Sequence, residues 1–307
     1  MRLDRVVIGT DFSAASVEAA KWTAAHFAYG AELVLVHVVS VPEPPRFFRG
    51  RYPAPDALVE TARAGAEARL RELGRALGAE RLRVEVRVGH PAEELAAAAA
   101  DHNAHVIAVG RHGDRPGVWH RLGSTADALV RAATVPVLLA TRVRDVRPRR
   151  ILVALDESDA TGAVASWARA LGDRFGAHVL AVHVVSSAVV SHLFAAPGAG
   201  ADGDAAADQT AHDEAREGLR RDADRWIEGL VGKCAARERV SSEVAFGEPG
   251  HEILAAAERH ESELIVMGSH GAGRARRFIA GSVASEVLRG ATCPVLVVVP
   301  PVDEIED

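Results

Sequence analysis

The sequence predicts two tandem α/β domains, each a doubly wound parallel sheet of five strands flanked by four helices. Three observations lead there. The chain is one domain written twice. Arg5-Val-Val-Ile-Gly-Thr-Asp11-Phe-Ser13 aligns with Arg150-Ile-Leu-Val-Ala-Leu-Asp156-Glu-Ser158 at an offset of 145, and Val36–Val39 aligns with Val182–Val185 at 146. Gly110 and Pro136 align with Gly268 and Pro294 at 158. Within each half, short β-branched runs alternate with helical patterns. Runs such as Leu33-Val-Leu-Val36 and Val295-Leu-Val-Val-Val299 are continuously apolar, as expected when helices cover both faces of a sheet.

In the first half, strands are predicted at 5–10, 32–39, 82–88, 105–109 and 136–140, with helices at 14–28, 57–77, 91–102 and 124–132. Asp11-Phe-Ser13 closes the first strand and opens the first helix; Gly110 closes the fourth strand; Gly123-Ser124 opens the last helix. The second half repeats the pattern with strands near 149–155, 177–185, 239–245, 263–267 and 294–299. Its additional residues fall in Ser186–Gln209, rich in Ala, Gly and Asp, where the first half has the proline-rich Pro42–Asp56. Both stretches read as loops over the sheet. The arginine-rich segment Arg142–Arg150 reads as a solvated linker, dividing the chain into domains 1–145 and 146–307.

At 307 residues the chain suits two domains of about 150 residues each. Apolar content of 48% with 25% charged residues is ordinary for a globular protein, and 5% aromatics imply an aliphatic core. A net charge of −6 argues against nucleic acid as a partner. Cys234 and Cys293 are too few for a disulfide framework and lack metal-ligand spacing. The start, Met1-Arg2-Leu3-Asp4, runs into a strand without a signal-peptide core, and no apolar run approaches the ~18 residues of a membrane span. A cytoplasmic protein with no membrane partner is expected.

The repeat carries chemistry. Gly110-Arg111-His112-Gly113, nine residues, Gly123-Ser124 recurs as Gly268-Ser269-His270-Gly271, nine residues, Gly281-Ser282. A glycine turn leaving a strand and closing on a helix start directs backbone N–H groups and a positive helix end at one spot, which suits phosphate. Gly113 and Gly271 are expected to supply positive φ and close approach. Ser124 and Ser282 serve either as phosphate donors or as helix caps. Asp11 and Asp156, at the carboxyl end of each first strand, serve either as acceptors for a ribose hydroxyl or exocyclic amine, or as caps for the following helix. His37 and His183 read as satisfied core groups; His112 and His270 either orient the turn or touch phosphate. Arg111, Arg115, Arg121, Arg274, Arg276 and Arg277 put positive charge near the two turns. There is no Walker Gly-x-x-x-x-Gly-Lys, no dinucleotide Gly-x-Gly-x-x-Gly after the first strand and no Gly-x-Ser-x-Gly elbow, and the only lysines are Lys21 and Lys233. The pattern is that of a binder more than a catalyst.

These residues resemble a tandem universal stress protein of the ATP-binding subgroup over nearly the whole chain. The resemblance rests on Thr10-Asp11-Phe12-Ser13 and Leu155-Asp156-Glu157-Ser158, on His37-Val38-Val39 and His183-Val184-Val185, and on Gly89-His90-Pro91 and Gly247-Glu248-Pro249. It rests also on the two glycine phrases and on Val135-Pro136-Val137 and Cys293-Pro294-Val295. It implies a strand order of 3-2-1-4-5 and one ATP in each domain. By resemblance, Asp11 and Val38, with Asp156 and Val184, hold adenine and ribose. Gly110, Gly113, Gly123 and Ser124, with Gly268, Gly271, Gly281 and Ser282, hold the phosphates. Mg2+ accompanies the nucleotide, and the last strands of the halves pair as an internal pseudo-dimer, with a homodimer of chains a further arrangement. It implies a role in stress response, survival or growth arrest. A slow ATPase and a nucleotide-free interaction protein of the same fold are the alternatives. Arg111 stands where the second copy has Ser269, so it is expected either to strengthen or to block the first cradle, which makes the second the stronger site.

Overall fold

The computed structural model describes residues 3–40, 55–113, 122–140, 147–186, 205–231, 239–269 and 281–299. They pack as two units. The first holds β1 (Arg5–Gly9), β2 (Glu32–Val39), β3 (Leu82–Val88), β4 (Val106–Gly110) and β5 (Val137–Ala140). Its helices are α1 (Ala14–Trp22), α2 (Pro55–Leu77), α3 (Pro91–Asp101) and α4 (Ser124–Ala132). The strands are parallel in the order β3-β2-β1-β4-β5, as expected. A sixth strand, β10 (Val295–Val298), belongs to the second repeat by sequence but packs in this unit. It runs antiparallel to β5 with Leu296 opposite Leu138, the pairing of last strands that the resemblance implies.

The second unit holds β6 (Arg150–Leu155), β7 (His178–Ser186), β8 (Val240–Gly247) and β9 (Leu264–Gly268). Its helices are α5 (Thr161–Phe175), α6 (Ala205–Val231), α7 (Pro249–Arg259) and α8 (Ser282–Gly290). The order is β9-β6-β7-β8, again parallel, which repeats the third-second-first-fourth sequence of the first unit.

The continuously apolar runs are buried on both faces: Val6, Val7, Ile8, Val34, Leu35 and Val36 all lie in the core. Each such side chain taken fully out of water stabilises the fold by about 1.5–3 kcal/mol. Helix starts follow local chemistry. Ser13 caps α1, its side chain accepting from the Ser16 N–H. α3 and α7 each begin with proline, preceded by Gly89 (φ 150°) and Gly247 (φ 156°), a backbone shape few other residues take.

Two stretches differ from expectation. The first helix, predicted over 14–28, is α-helical only to Trp22 and continues as a π-helical turn over Thr23–Phe27, where the Ala28 N–H reaches back to Thr23 O at 2.7 Å. The predicted loop Ser186–Gln209 is shorter than read, because α6 already begins at Ala205. The alanine-rich run there continues into an amphipathic helix rather than ending with the loop. Residues 41–54 and 187–204 lie outside the described residues. Among the described residues no helix is long and apolar enough to cross a membrane.

Candidate functional site

Parallel order places the carboxyl ends of β2, β1 and β4 side by side, and the expected site residues of the first unit gather there. The register pairs Gly9 with Val36 at the end of β1; Asp11 lies two residues beyond β1, and Val38 lies two residues further along β2. Beyond β1 the chain is held by side chains. The Phe12 N–H donates to Thr10 Oγ1 at 3.0 Å, and the Thr10 and Ser16 hydroxyls are 2.9 Å apart. The Ser13 N–H donates to Asp11 Oδ1 at 3.0 Å. Phe12 takes a positive φ of 63°, and its ring lies 4.5 Å from the His37 ring, with the Arg69 guanidinium 4.0 Å from the ring centre. His37 Nδ1 is 2.8 Å from Thr10 O; a carbonyl only accepts, so Nδ1 carries the proton. His37 is thus a satisfied structural group, as read from the sequence.

Asp11 keeps solvent contact at the sheet edge. Partial desolvation pushes its carboxyl pKa up, but hydrogen bonding from Ser13 and Ser16 outweighs this and holds it below the ordinary value. Oδ1 secures the turn into α1, while Oδ2 faces the glycine turn after β4.

That turn approaches closely. A β-carbon on Gly113 would stand 2.7 Å from Asp11 Oδ2. One on Gly110 would stand 3.2 Å from Ser16 Cα, and one on Gly123 would stand 3.1 Å from Arg111 O. Gly113 does not take the positive φ expected of it. The absent side chain matters there for space and not for backbone handedness. The Arg111 N–H donates to Ala140 O at 3.1 Å, and the Gly123 N–H donates to Arg111 O at 2.9 Å. Gly123 is the N-cap of α4, without a side-chain cap bond, and Ser124 is the exposed first helical residue. The cap reading of this serine is replaced by one in which its hydroxyl and the free N–H groups of the first helical turn share the helix start.

The second unit repeats the arrangement. Asp156 Oδ1 accepts from the Ser158 N–H at 3.2 Å, from Ser158 Oγ at 2.5 Å and from Thr161 Oγ1 at 3.1 Å. His183 Nδ1 is 2.9 Å from Leu155 O, and its ring meets Trp226 edge-on at 5.2 Å. Val184 follows on β7, paired in register with Ala245. Gly268 ends β9, the Gly281 N–H donates to Ser269 O at 3.1 Å, Gly281 caps α8, and Ser282 is its exposed first residue. Gly271, His270, Arg274, Arg276 and Arg277 lie outside the described residues, as do Arg115 and Arg121.

Arg111 is buried, and Nη2 donates to Cys293 O at 2.9 Å. Burial lowers the guanidinium pKa to about 10, only partly offset by Cys293, so it stays charged at neutral pH. The guanidinium is engaged at Cys293, a partner that the sequence reading did not foresee. Sequence reasoning also passed over Ser16 and Thr161, the hydroxyls behind each aspartate. Their signal was available: they align at the same offset of 145 that relates Asp11 to Asp156.

Comparison with known proteins bears on both halves. The model of the universal stress protein family matches twice, over residues 2–141 and 148–299. A universal stress protein of Methanocaldococcus jannaschii is 32% identical over 158 residues, spanning 51% of this chain and 85% of the relative. One from Mycolicibacterium smegmatis is 28% identical over 308 residues, spanning 96% of this chain and 97% of the relative. The crystal structure of a universal stress protein from Archaeoglobus fulgidus matches with a TM-score of 0.69 at 24% identity, over 99% of this chain and 98% of that one, a likeness of fold.

Proposed function

We propose, on the premise that the chain belongs to the universal stress protein family, that each half binds one ATP with its Mg2+ and that the protein acts as a nucleotide-dependent regulator of stress survival or growth arrest. The observation that carries this reading is the juxtaposition in the first unit of Asp11 Oδ2 and Gly113, in the turn that closes on the start of α4; the second unit repeats the bonded aspartate at Asp156 and the glycine cap at Gly281. The glycines let the turn close on Asp11, on Ser16 and on its own backbone, where a β-carbon would stand 2.7, 3.2 and 3.1 Å from its neighbours.

In this reading the phosphates lie against the N–H groups opening α4 and α8, where the positive helix end and the Ser124 and Ser282 hydroxyls favour an anion. Asp11 and Asp156 accept from the ribose hydroxyls, and the backbone at Val38 and Val184 meets the adenine edge. Mg2+, when bound with the nucleotide, would offset triphosphate charge. The chain's own groups orient and hold the nucleotide, and binding and release constitute the signal. The two halves, 1–145 and 146–307, act as an internal pair of cytoplasmic nucleotide sites.

The test is to denature freshly purified protein and identify the released nucleotide by mass spectrometry, then titrate ATP and Mg2+ into stripped protein. Two ATP per chain and a raised melting temperature are expected. No released nucleotide and no thermal shift overturn the reading.

A further inference from the structure

Arg111 is the only charged side chain among the buried described residues, and the proposed nucleotide contacts make no use of it. Burying a guanidinium is costly unless its hydrogen bonds are met. The turn itself does not require it, because the matching turn is built on Ser269 with the same bond from the N-cap glycine to the preceding carbonyl. What arginine adds is reach. Its N–H binds Ala140 O at the end of β5, its carbonyl receives the Gly123 N–H at the start of α4, and its Nη2 holds Cys293 O just before β10. One residue thus touches the glycine turn, the end of β5 and the entry of β10, the strand laid antiparallel on β5.

We propose that Arg111 is a positioning residue that couples ligand at the first glycine turn to the seating of β10 on β5. The proposal rests on nucleotide binding at that turn. A ligand that fixes the backbone of residues 110–113 fixes the base of the Arg111 side chain, and through its guanidinium the carbonyl of Cys293. β10 follows within two residues, in the register Val295–Leu139, Leu296–Leu138 and Val297–Val137. Linkage is reciprocal, so a well-seated β10 tightens the first site by the same factor. Ser269 has one carbon between its backbone and its hydroxyl and spans no such distance, so the coupling belongs to the first site alone.

Hydrogen–deuterium exchange of the full chain, read at 295–298 and 137–140 with and without ATP and Mg2+, tests this, with bound nucleotide counted in the same samples. In the unaltered chain ATP is expected to slow exchange at 295–298. In Arg111→Ser, exchange there rises about tenfold without nucleotide, the effect of losing one charge-assisted hydrogen bond. The ATP response at 295–298 disappears in that variant while ATP at the second site remains. Arg111→Lys, which keeps a donor, restores part of the response. Exchange in β7 (178–186) serves as the reference that a merely destabilised fold would also move. Two bound nucleotides with no change at 295–298 overturn the coupling alone, and so does nucleotide-free Arg111→Ser that exchanges like the unaltered chain. No bound nucleotide overturns the coupling together with the nucleotide reading.

Discussion

Gly113 lies against Asp11 so closely that a β-carbon on the glycine would stand 2.7 Å from Asp11 Oδ2. That is closer than a β-carbon comes to an unbonded neighbour, so either the carboxylate or the turn must yield. Gly113→Ala is expected to remove the first nucleotide site and spare the second, lowering bound ATP from two per chain to one in equilibrium dialysis. The fold should survive with a loss of about 1–3 kcal/mol, the usual cost of overpacking.

The second site has its own handle. Gly281 caps α8 and donates to Ser269 O at 3.1 Å. Gly281→Leu places a branched side chain where the phosphates are proposed to sit, and stoichiometry should again fall to one. Combined with Gly113→Ala it should fall to zero. Two sites remaining in either single variant would sink the corresponding assignment.

Asp11 also makes an acid-side prediction. Its folded pKa lies below its ordinary value because hydrogen bonding from Ser13 and Ser16 outweighs partial desolvation. A depressed carboxyl contributes stability that is fully present above the unfolded pKa of about 3.9 and lost as pH falls through the lower folded value. Urea unfolding between pH 2.5 and 7, as rough limits, should therefore show a decline that sets in below about pH 5. Asp11→Asn keeps an acceptor for the Ser13 N–H but cannot ionise, and its curve should be flatter there. Glu243 has a lowered pKa of the same sense, since hydrogen bonds from His260 and Arg259 outweigh its desolvation. It will contribute to the decline that remains.

Leu138 and Leu296 face each other across β5 and β10, and neither is exposed. Leu296→Ala leaves a cavity at that seam and should cost about 2–5 kcal/mol in chemical unfolding. A cost below about 1 kcal/mol would mean that β10 is not seated as described.

The strands were legible because buried strands between helices read as unbroken aliphatic runs, and because duplication exposed each element twice; their order came from the family resemblance. The glycine turns were legible for the same reason. What the glycines do was legible only in part: spacing marks Gly113 for positive φ and close approach, but only coordinates show that its near neighbour is Asp11 and that its φ is not positive. The partner of Arg111 was not foreseen because it is the carbonyl of Cys293, 182 residues away in sequence. Any residue offers a carbonyl, so no side-chain pattern marks that acceptor. The π-helical turn at Thr23–Phe27 was hidden similarly, since a one-residue widening leaves the apolar spacing nearly intact.

The pairing of Val137 with Val297 sets a schedule for the chain as it is made. β5 emerges from the ribosome long before β10, and at about 5–20 residues per second the interval is on the order of ten to thirty seconds. Throughout it, the outer edge of β5 is an open rim of N–H and C=O groups, a template for pairing with another strand. Neighbouring nascent chains on one messenger offer identical rims. A fragment stopped at Ala140 would keep its rim permanently, and the nearest complement would be the β5 of another fragment.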